Sequence, residues 1–282
     1  MTDTGDGANA AQIDYWNATA GPVWVRMQAQ LDRQIAGIGL RAMGVLAPRR
    51  GECILDVGCG CGQTSLQLAE RVGPEGAVTG VDISAPMLDV ARGRPVPEDS
   101  ARPSFRQADA QSADLGAATY DAAFSRFGVM FFADPAAAFG NIRTSLKPGG
   151  RLTFVCWAPF ADNPWMTTPL MAAASLLPPM PPIEPTAPGP FAFADPDRVR
   201  GILADGGFKG VSIDLFESLI GGGDLDTAVA LALQVGPLGA ALRENSGLAD
   251  KVTDAVREAL ARYVTPDGVR MPSAVWIVSA RP

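Results

Sequence analysis

Residues Cys53–Gly62 read Cys-Ile-Leu-Asp-Val-Gly-Cys-Gly-Cys-Gly, so an acid is followed by glycines at alternate positions, Gly58, Gly60 and Gly62. Glycine lets the chain turn sharply and lets a ligand approach where a Cβ would collide. The helix formers Gln63–Val72 come next, and the free N–H groups at such a helix start suit an anion such as a carboxylate. Asp56, two residues before the first glycine, can receive an ammonium group. A ligand with both groups is an amino acid. A dinucleotide fingerprint, G-x-G-x-x-G, sets its third glycine one place later. The spacing therefore argues against a dinucleotide-dependent oxidoreductase, although a plain strand–helix turn would also use such glycines.

A second acid, Asp82, closes the apolar run Ala77–Asp82, twenty residues beyond Gly62. An acid at the end of the second strand of such a unit can accept both hydroxyls of a ribose. It can also help start the helix near Ser84 and Pro86, and the two roles are compatible. The chain contains no histidine, which excludes an imidazole base, a His-dependent triad and a His metal site. The four cysteines, Cys53, Cys59, Cys61 and Cys156, have no second pair at metal-ligand spacing and read as buried thiols. No metal is expected. Proton chemistry, where the reaction needs it, falls to Tyr15, to Asp162 or to the substrate's own acidity.

Apolar runs and helical stretches alternate to position these groups. Strands are expected at Cys53–Asp56, Ala77–Asp82, Pro103–Asp109, Tyr120–Phe127, Arg151–Trp157, Val211–Leu219 and Ala274–Ala280. Helices are expected over 11–47 with a break at Gly21-Pro22, over Gln63–Val72, after Ser84, after Asp134-Pro135, over Pro196–Asp205 and over Gly221–Tyr263. The first ten residues are small and polar and read as frayed. Residues 158–194 are proline-rich, with Pro178-Pro179 and Pro181-Pro182, but apolar on both flanks, which suggests a lid beside an acceptor pocket and not a bare linker. Tyr15, Trp16 and Trp24 can be core residues or, taken together, a cover over a site.

At 282 residues the chain suits one large domain or a domain with insertions. A formal net charge of −7 disfavours a nucleic-acid partner. The sequence holds no stretch of eighteen apolar residues, and Met1–Asp6 lacks the basic and apolar regions of a signal peptide. A soluble, cytoplasmic protein without a membrane partner is the expectation. Oligomeric state is left open.

The run Asp56-Val57-Gly58-Cys59-Gly60-Cys61-Gly62 resembles motif I of the class I methyltransferases that use S-adenosylmethionine. Asp82, Asp109 and the turn Leu146-Lys147-Pro148-Gly149-Gly150 follow in that family's order over about 105 residues. Ubiquinone/menaquinone-type and bacterial small-molecule methyltransferases are the similar groups. The resemblance implies S-adenosylmethionine as cofactor, S-adenosylhomocysteine as product, and cofactor contacts from Asp56, Gly58, Cys59, Gly60, Gly62, Thr64, Asp82, Ile83, Ser125 and Arg126; Trp24 of the aromatic cover is a further candidate contact, and Gln28, polar within an apolar run, reads as a cofactor contact or as a surface residue. It also implies that Asp109 and the Ala110 N–H face the adenine. Arg126 reads equally as a substrate or cofactor contact and as a salt-bridged residue at a strand end. With Tyr15 it completes the candidates for the reacting centre.

The expected fold is α/β, with a seven-stranded, mostly parallel, doubly wound Rossmann-like sheet whose last strand is antiparallel. The expected division is a helical cover over 1–47, a cofactor-binding core over 48–157, a lid over 158–194, core again over 195–220, a helical insertion over 221–271 and the last strand over 272–282. The expected reaction is metal-independent, in-line methyl transfer to a small, apolar or aromatic molecule. The rival is a protein that binds S-adenosylmethionine without methylating, either a cyclase- or decarboxylase-type enzyme or a binding module.

Overall fold

A computed structural model describes residues 9–179 and 184–282. Residues 1–8 of the polar start, and Pro181-Pro182 of the lid, lie outside the described residues. The chain opens with α1 (Ala10–Asp14), a π-helical turn (Tyr15–Thr19), α2 (Ala20–Arg26) and α3 (Gln28–Leu46). The expected break at Gly21-Pro22 moves to Met27, because a proline in the first turn of α2 loses no hydrogen bond that the helix needs. Then follow β1 (Cys53–Val57), α4 (Gln63–Val72), β2 (Ala77–Asp82), α5 (Ala85–Gly93), β3 (Ser104–Gln107), β4 (Tyr120–Arg126), α6 (Pro135–Ser145) and β5 (Leu146–Trp157). The second half comprises α7 (Pro164–Ala173), α8 (Pro196–Asp205), β6 (Lys209–Gly221), α9 (Leu225–Ala232), α10 (Gly236–Glu244), α11 (Ala249–Ala261), β7 (Val264–Thr265) and β8 (Gly268–Arg281).

The strand order is β3-β2-β1-β4-β5-β8-β6, with β7 paired to β8. Strands β1 to β5 run parallel, and β8 inserts antiparallel between β5 and β6. Among the described residues the sheet thus has eight strands instead of seven. The extra one is the two-residue β7, a hairpin arm too short to leave a hydrophobic period. Apolar runs such as Ile54-Leu55 are fully buried, as befits parallel strands covered on both faces. Helix starts carry their own signals: Asp134 accepts from the Ala137 N–H at 3.0 Å ahead of Pro135, and Asp224 accepts from the Thr227 N–H at 2.8 Å.

Several element ends differ from expectation. Strand β3 stops at Gln107, leaving Asp109 in the following loop. Strand β4 stops at Arg126, because Phe127 is left-handed with φ 68°. The Lys147–Gly150 turn is taken into β5 as a bulge, and the pairing with β4 slips between Tyr120 and Ala122. The long helical stretch after Gly221 is interrupted between α9 and α10 and again before α11.

The main core fills both faces of the sheet, and Phe124, Phe139, Phe154 and Phe193 are its largest fully buried side chains. A second apolar cluster joins α7, α9, α10, α11 and β8. A third and smaller one holds Val23, Met27 and Leu31 against Trp24, Leu231 and Val235. Among the described residues no single helix is long and apolar enough to cross a membrane; α9 and α10 together pass on composition but meet at a 58° bend.

Candidate active site

Because β1, β2 and β4 are parallel, the loops after them share one edge, and ligands in such sheets bind where the strand order reverses. A cavity of about 440 Å³ opens there. Its floor is Val57–Cys61, Asp82-Ile83 and Arg126–Gly128. The Gly58 and Cys59 N–H groups both donate to Val81 O, at 2.9 and 3.1 Å, which ties the glycine loop to the end of β2. Gly58 and Gly60 are left-handed, with φ 66° and 54°, a region that side chains with a Cβ seldom enter.

Asp82 faces the cavity, and its carboxylate organises the loops around it. The Gly60 N–H donates to Oδ2 at 2.8 Å and the Ser84 N–H to Oδ1 at 2.9 Å. A carboxylate has about four lone-pair sites, so each oxygen keeps one for a ligand hydroxyl. Burial raises the Asp82 carboxyl above its usual range, against the pull of these N–H donors. Asp109 also lines the cavity and accepts from the Gln111 N–H at 2.9 Å and from Asn9 Nδ2 at 3.4 Å.

Three expected contacts stand behind the wall instead of in it. Asp56 is 1% exposed, and its Oδ2 accepts from Thr64 Oγ1 at 2.7 Å and Ser65 Oγ at 2.6 Å. Its Oδ1 has no partner among the described residues, and burial pushes its pKa up to about 6. Asp56 therefore meets the cavity through Thr64, which lines it. Gly62 is a packing residue: a Cβ there would lie 2.9 Å from Ala91 Cβ and 3.1 Å from Phe105 Cζ. Ser125 is fully buried and accepts from the Gly128 N–H at 3.2 Å. Trp24, Gln28, Gly58, Cys59, Gly60, Asp82, Ile83, Ala110 and Arg126 all line the cavity.

Arg126 is tied into a polar network under α3. Its Nη1 donates to Gln63 Oε1 at 2.6 Å, and its Nη2 lies 3.9 Å from Asp32 Oδ1. Asp32 also accepts from Gln28 Nε2 and from Arg94 Nη1, the latter at 2.8 Å. Arg126 thus lies beside Asp32 at the end of β4 and on the cavity wall, the positions that its two readings name. Asp32 was not singled out in the sequence, where a lone acid inside a helix gives no signal.

The N-terminal segment docks on the β2–α5 loop. Asn17 Nδ2 donates to Ile83 O at 2.9 Å, and Asn17 Oδ1 accepts from the Ala85 N–H at 2.9 Å. Ser84 Oγ donates to Trp16 O at 2.9 Å. Trp16 meets Trp24 and Phe131 edge-on, with ring centroids 5.8 and 5.1 Å apart. All three rings line the cavity.

The opposite wall is aromatic. Phe127 stacks on Trp157 at 4.2 Å, and Trp157 meets Trp165 at 4.9 Å. Phe127 is held left-handed, which is strained for a bulky side chain and is typical of binding sites. Trp165 Nε1–H is buried without a partner among the described residues. Pro185 and Ala187–Ala192 of the proline-rich segment and Gln234–Pro237 at the start of α10 also line the space, with Arg243 and Tyr15 side by side at its wall. Phe127, Trp157 and Arg243 were not singled out, since strand-end aromatics and a lone helical arginine have ordinary structural uses.

Other candidates lie elsewhere. Asp162 is exposed in a short 3-10 turn and does not line the cavity. Asn163 is buried and clamps backbone, donating to Ala158 O and Ala274 O at 3.1 Å while accepting from the Ala274 N–H. Burial pushes the Cys61 thiol up to about 12 and Cys59 well above its usual range, so neither is a ready nucleophile.

A family model described as a methyltransferase domain matches residues 54–150. The chain is 30% identical over 227 residues to the O-methyltransferase cnsE of Penicillium expansum, covering 79% of this chain and 74% of that one. It is 32% identical over 117 residues to the aklanonic acid methyltransferase DauC of Streptomyces sp. (strain C5), covering 42% of this chain and about half, 53%, of that relative. The phosphoethanolamine N-methyltransferase 2 of Haemonchus contortus, solved with S-adenosylmethionine, shares the fold at a TM-score of 0.60 and 17% identity, over 100% of this chain and 61% of that one.

Proposed function

The chain belongs to the S-adenosylmethionine-dependent methyltransferases, and we propose that it methylates an oxygen of a small aromatic or otherwise apolar acceptor. The observation that carries the acceptor class is the aromatic wall of Phe127, Trp157 and Trp165, which lines the same cavity as the glycine loop and Asp82. The O-methyltransferase named above supports the choice of oxygen. A small molecule suits both this cavity and the acidic net charge of −7, and a cytoplasmic setting accords with it. A role in binding without methylation finds no support among these relatives.

The residues fit the cofactor. Left-handed Gly58 and Gly60 give the loop at the cavity floor a turn that side chains seldom adopt, and Asp82 keeps lone pairs for two hydroxyls. Asp82 would hold the ribose, Asp109 and Ala110 the adenine, and Thr64 with the glycine loop the amino-acid end. When bound, S-adenosylmethionine supplies an activated methyl group on a sulfonium.

The chain's own contribution is positioning and exclusion of water. Trp16, Trp24 and Phe131 cover one side of the cavity and the lid the other. With no histidine in the chain and Asp162 outside the cavity, the expected sources of deprotonation reduce to Tyr15, which lines the cavity, and an acceptor that is acidic in its own right. Among the described residues no three Cys, Asp or Glu side chains gather at metal-binding geometry, and turnover is expected to survive chelation. Incubation with methyl-labelled S-adenosylmethionine and a panel of phenols, enols and arylamines tests the reading. Label in a methyl ether or ester supports it, and label confined to nitrogen would sink the choice of oxygen.

A further inference from the structure

Arg243, on α10, lines the cavity, and its donors are only partly used. Nη1 donates to Gln234 O at 2.9 Å and Nη2 to Tyr15 OH at 3.1 Å. Among the described residues no carboxylate lies within 4.0 Å of its guanidinium. The other arginine of the cavity wall, Arg126, has Asp32 at 3.9 Å. A guanidinium carries five N–H donors in a planar fork and no acceptor. The Tyr15 oxygen receives one of them, and its own O–H has no acceptor among the described residues. The pair therefore presents donors and positive charge, with no carboxylate to answer them. On a chain of net charge −7 an unpaired cation at the cavity wall is the feature that would admit an anion.

We propose that Arg243 and Tyr15 bind a carboxylate on the acceptor, so that the enzyme's substrates are aromatic acids. This rests on the methyltransferase reading and narrows its substrate class. A carboxylate matches the guanidinium fork with two parallel hydrogen bonds, and the tyrosine O–H adds a third donor. The acid is anchored at one wall while its ring lies along Phe127, Trp157 and Trp165. Tyr15 and Arg243 act here as binding residues. The contact also joins the N-terminal segment to the helical insertion across the cavity, so an occupied site would hold the two together.

The test uses the full chain saturated with S-adenosylhomocysteine and two matched probes, 3-hydroxy-2-naphthoate and its neutral carboxamide, titrated by calorimetry. The expected result is that the acid binds about tenfold or more tightly than the amide, in line with a charge-assisted pair. Arg243→Met should bring the acid down to the affinity of the amide, and Tyr15→Phe should remove part of the preference. Neither substitution should change affinity for S-adenosylhomocysteine. Equal affinities for acid and amide in the unmodified chain, no binding of either probe, or a loss in Arg243→Met shared by both probes would each overturn the proposal. Failure of the unmodified chain to bind S-adenosylhomocysteine would instead overturn the methyltransferase reading beneath it.

Discussion

Gly58 and Gly128 lie back to back where the loops after β1 and β4 meet: a Cβ on Gly58 would stand 2.7 Å from Gly128 Cα, and one on Gly128 would stand 2.8 Å from Gly58 Cα. Both neighbours are backbone, so no side chain can swing aside. Each loop is also anchored, Gly58 by its N–H to Val81 O at 2.9 Å and Gly128 by its N–H to Ser125 Oγ at 3.2 Å. The contact sets the glycine loop against Phe127, at the base of the aromatic wall.

Gly128→Ala should therefore push the two loops apart. Overpacking of this kind costs ~1–3 kcal/mol, and the loss should appear both in thermal unfolding and in S-adenosylmethionine affinity by calorimetry. A variant with normal melting temperature and normal affinity would mean that the loops can part without consequence.

Asp82→Asn should keep one oxygen for the Gly60 or Ser84 N–H but lose the charge that ribose hydroxyls would meet. Charge-assisted hydrogen bonds are worth about 1.5–3 kcal/mol, so affinity for S-adenosylmethionine should fall by that amount while the fold persists. Unchanged affinity in a folded Asp82→Asn protein would remove the ribose assignment.

Asp56 makes stability depend on pH. Its pKa is raised from 3.8 to about 6 by burial, ahead of the opposing hydrogen bonds from Ser65 and Thr64. The folded chain therefore holds a proton between these values that the unfolded chain has released. Stability from this group is greatest below the lower value, falls as pH rises through the window, and stays at its lower level above about 6. A shift of about two pKa units corresponds to roughly 3 kcal/mol. Asp56→Asn should flatten the unfolding free energy between pH 4 and 6. An unchanged slope would show that Asp56 is ionised throughout.

What the sequence made legible is what the backbone demands locally. The run from Cys53 to Gly62 needs a strand, a left-handed turn and a helix, and these follow from residue type and short spacing. The acids at strand ends were legible for the same reason, yet only Asp82 and Asp109 reach the cavity, and Asp56 turns inward to Thr64 and Ser65. Direction at a strand end depends on which neighbouring hydroxyls arrive, and one sequence does not contain that. The extra strand β7 was hidden by its length. The Phe127–Trp157 stack was hidden because Phe127 follows β4 and Trp157 ends β5, and the two meet only through the β4–β5 register. Likewise the Arg243–Tyr15 contact joins residues 228 positions apart, which no local pattern can signal.

The N-terminal segment gives the last prediction. It is tied to the β2–α5 loop by Asn17, which closes two hydrogen bonds there, and by Trp16 O, which accepts from Ser84 Oγ, with further contacts from Asn9 to Asp109 and from Arg243 to Tyr15. Its apolar residues Val23 and Met27 form a small cluster with Leu31, separate from the main core. The sheet and the main core should therefore form without residues 1–27, and far-UV circular dichroism should change only by the loss of α1, the π-helical turn and α2. The cavity should suffer more, because Tyr15, Trp16 and Trp24 line it and the Ile83–Ala85 loop beside Asp82 loses its clamp. Deleting residues 1–27 should weaken S-adenosylmethionine binding and abolish transfer. Asn17→Ala isolates the clamp: losing two hydrogen bonds at ~1 kcal/mol each should lower affinity while leaving the aromatic cover in place. Full affinity and turnover in the truncated chain would show that the cover is dispensable, and global unfolding would show that the separate cluster belongs to the folding core.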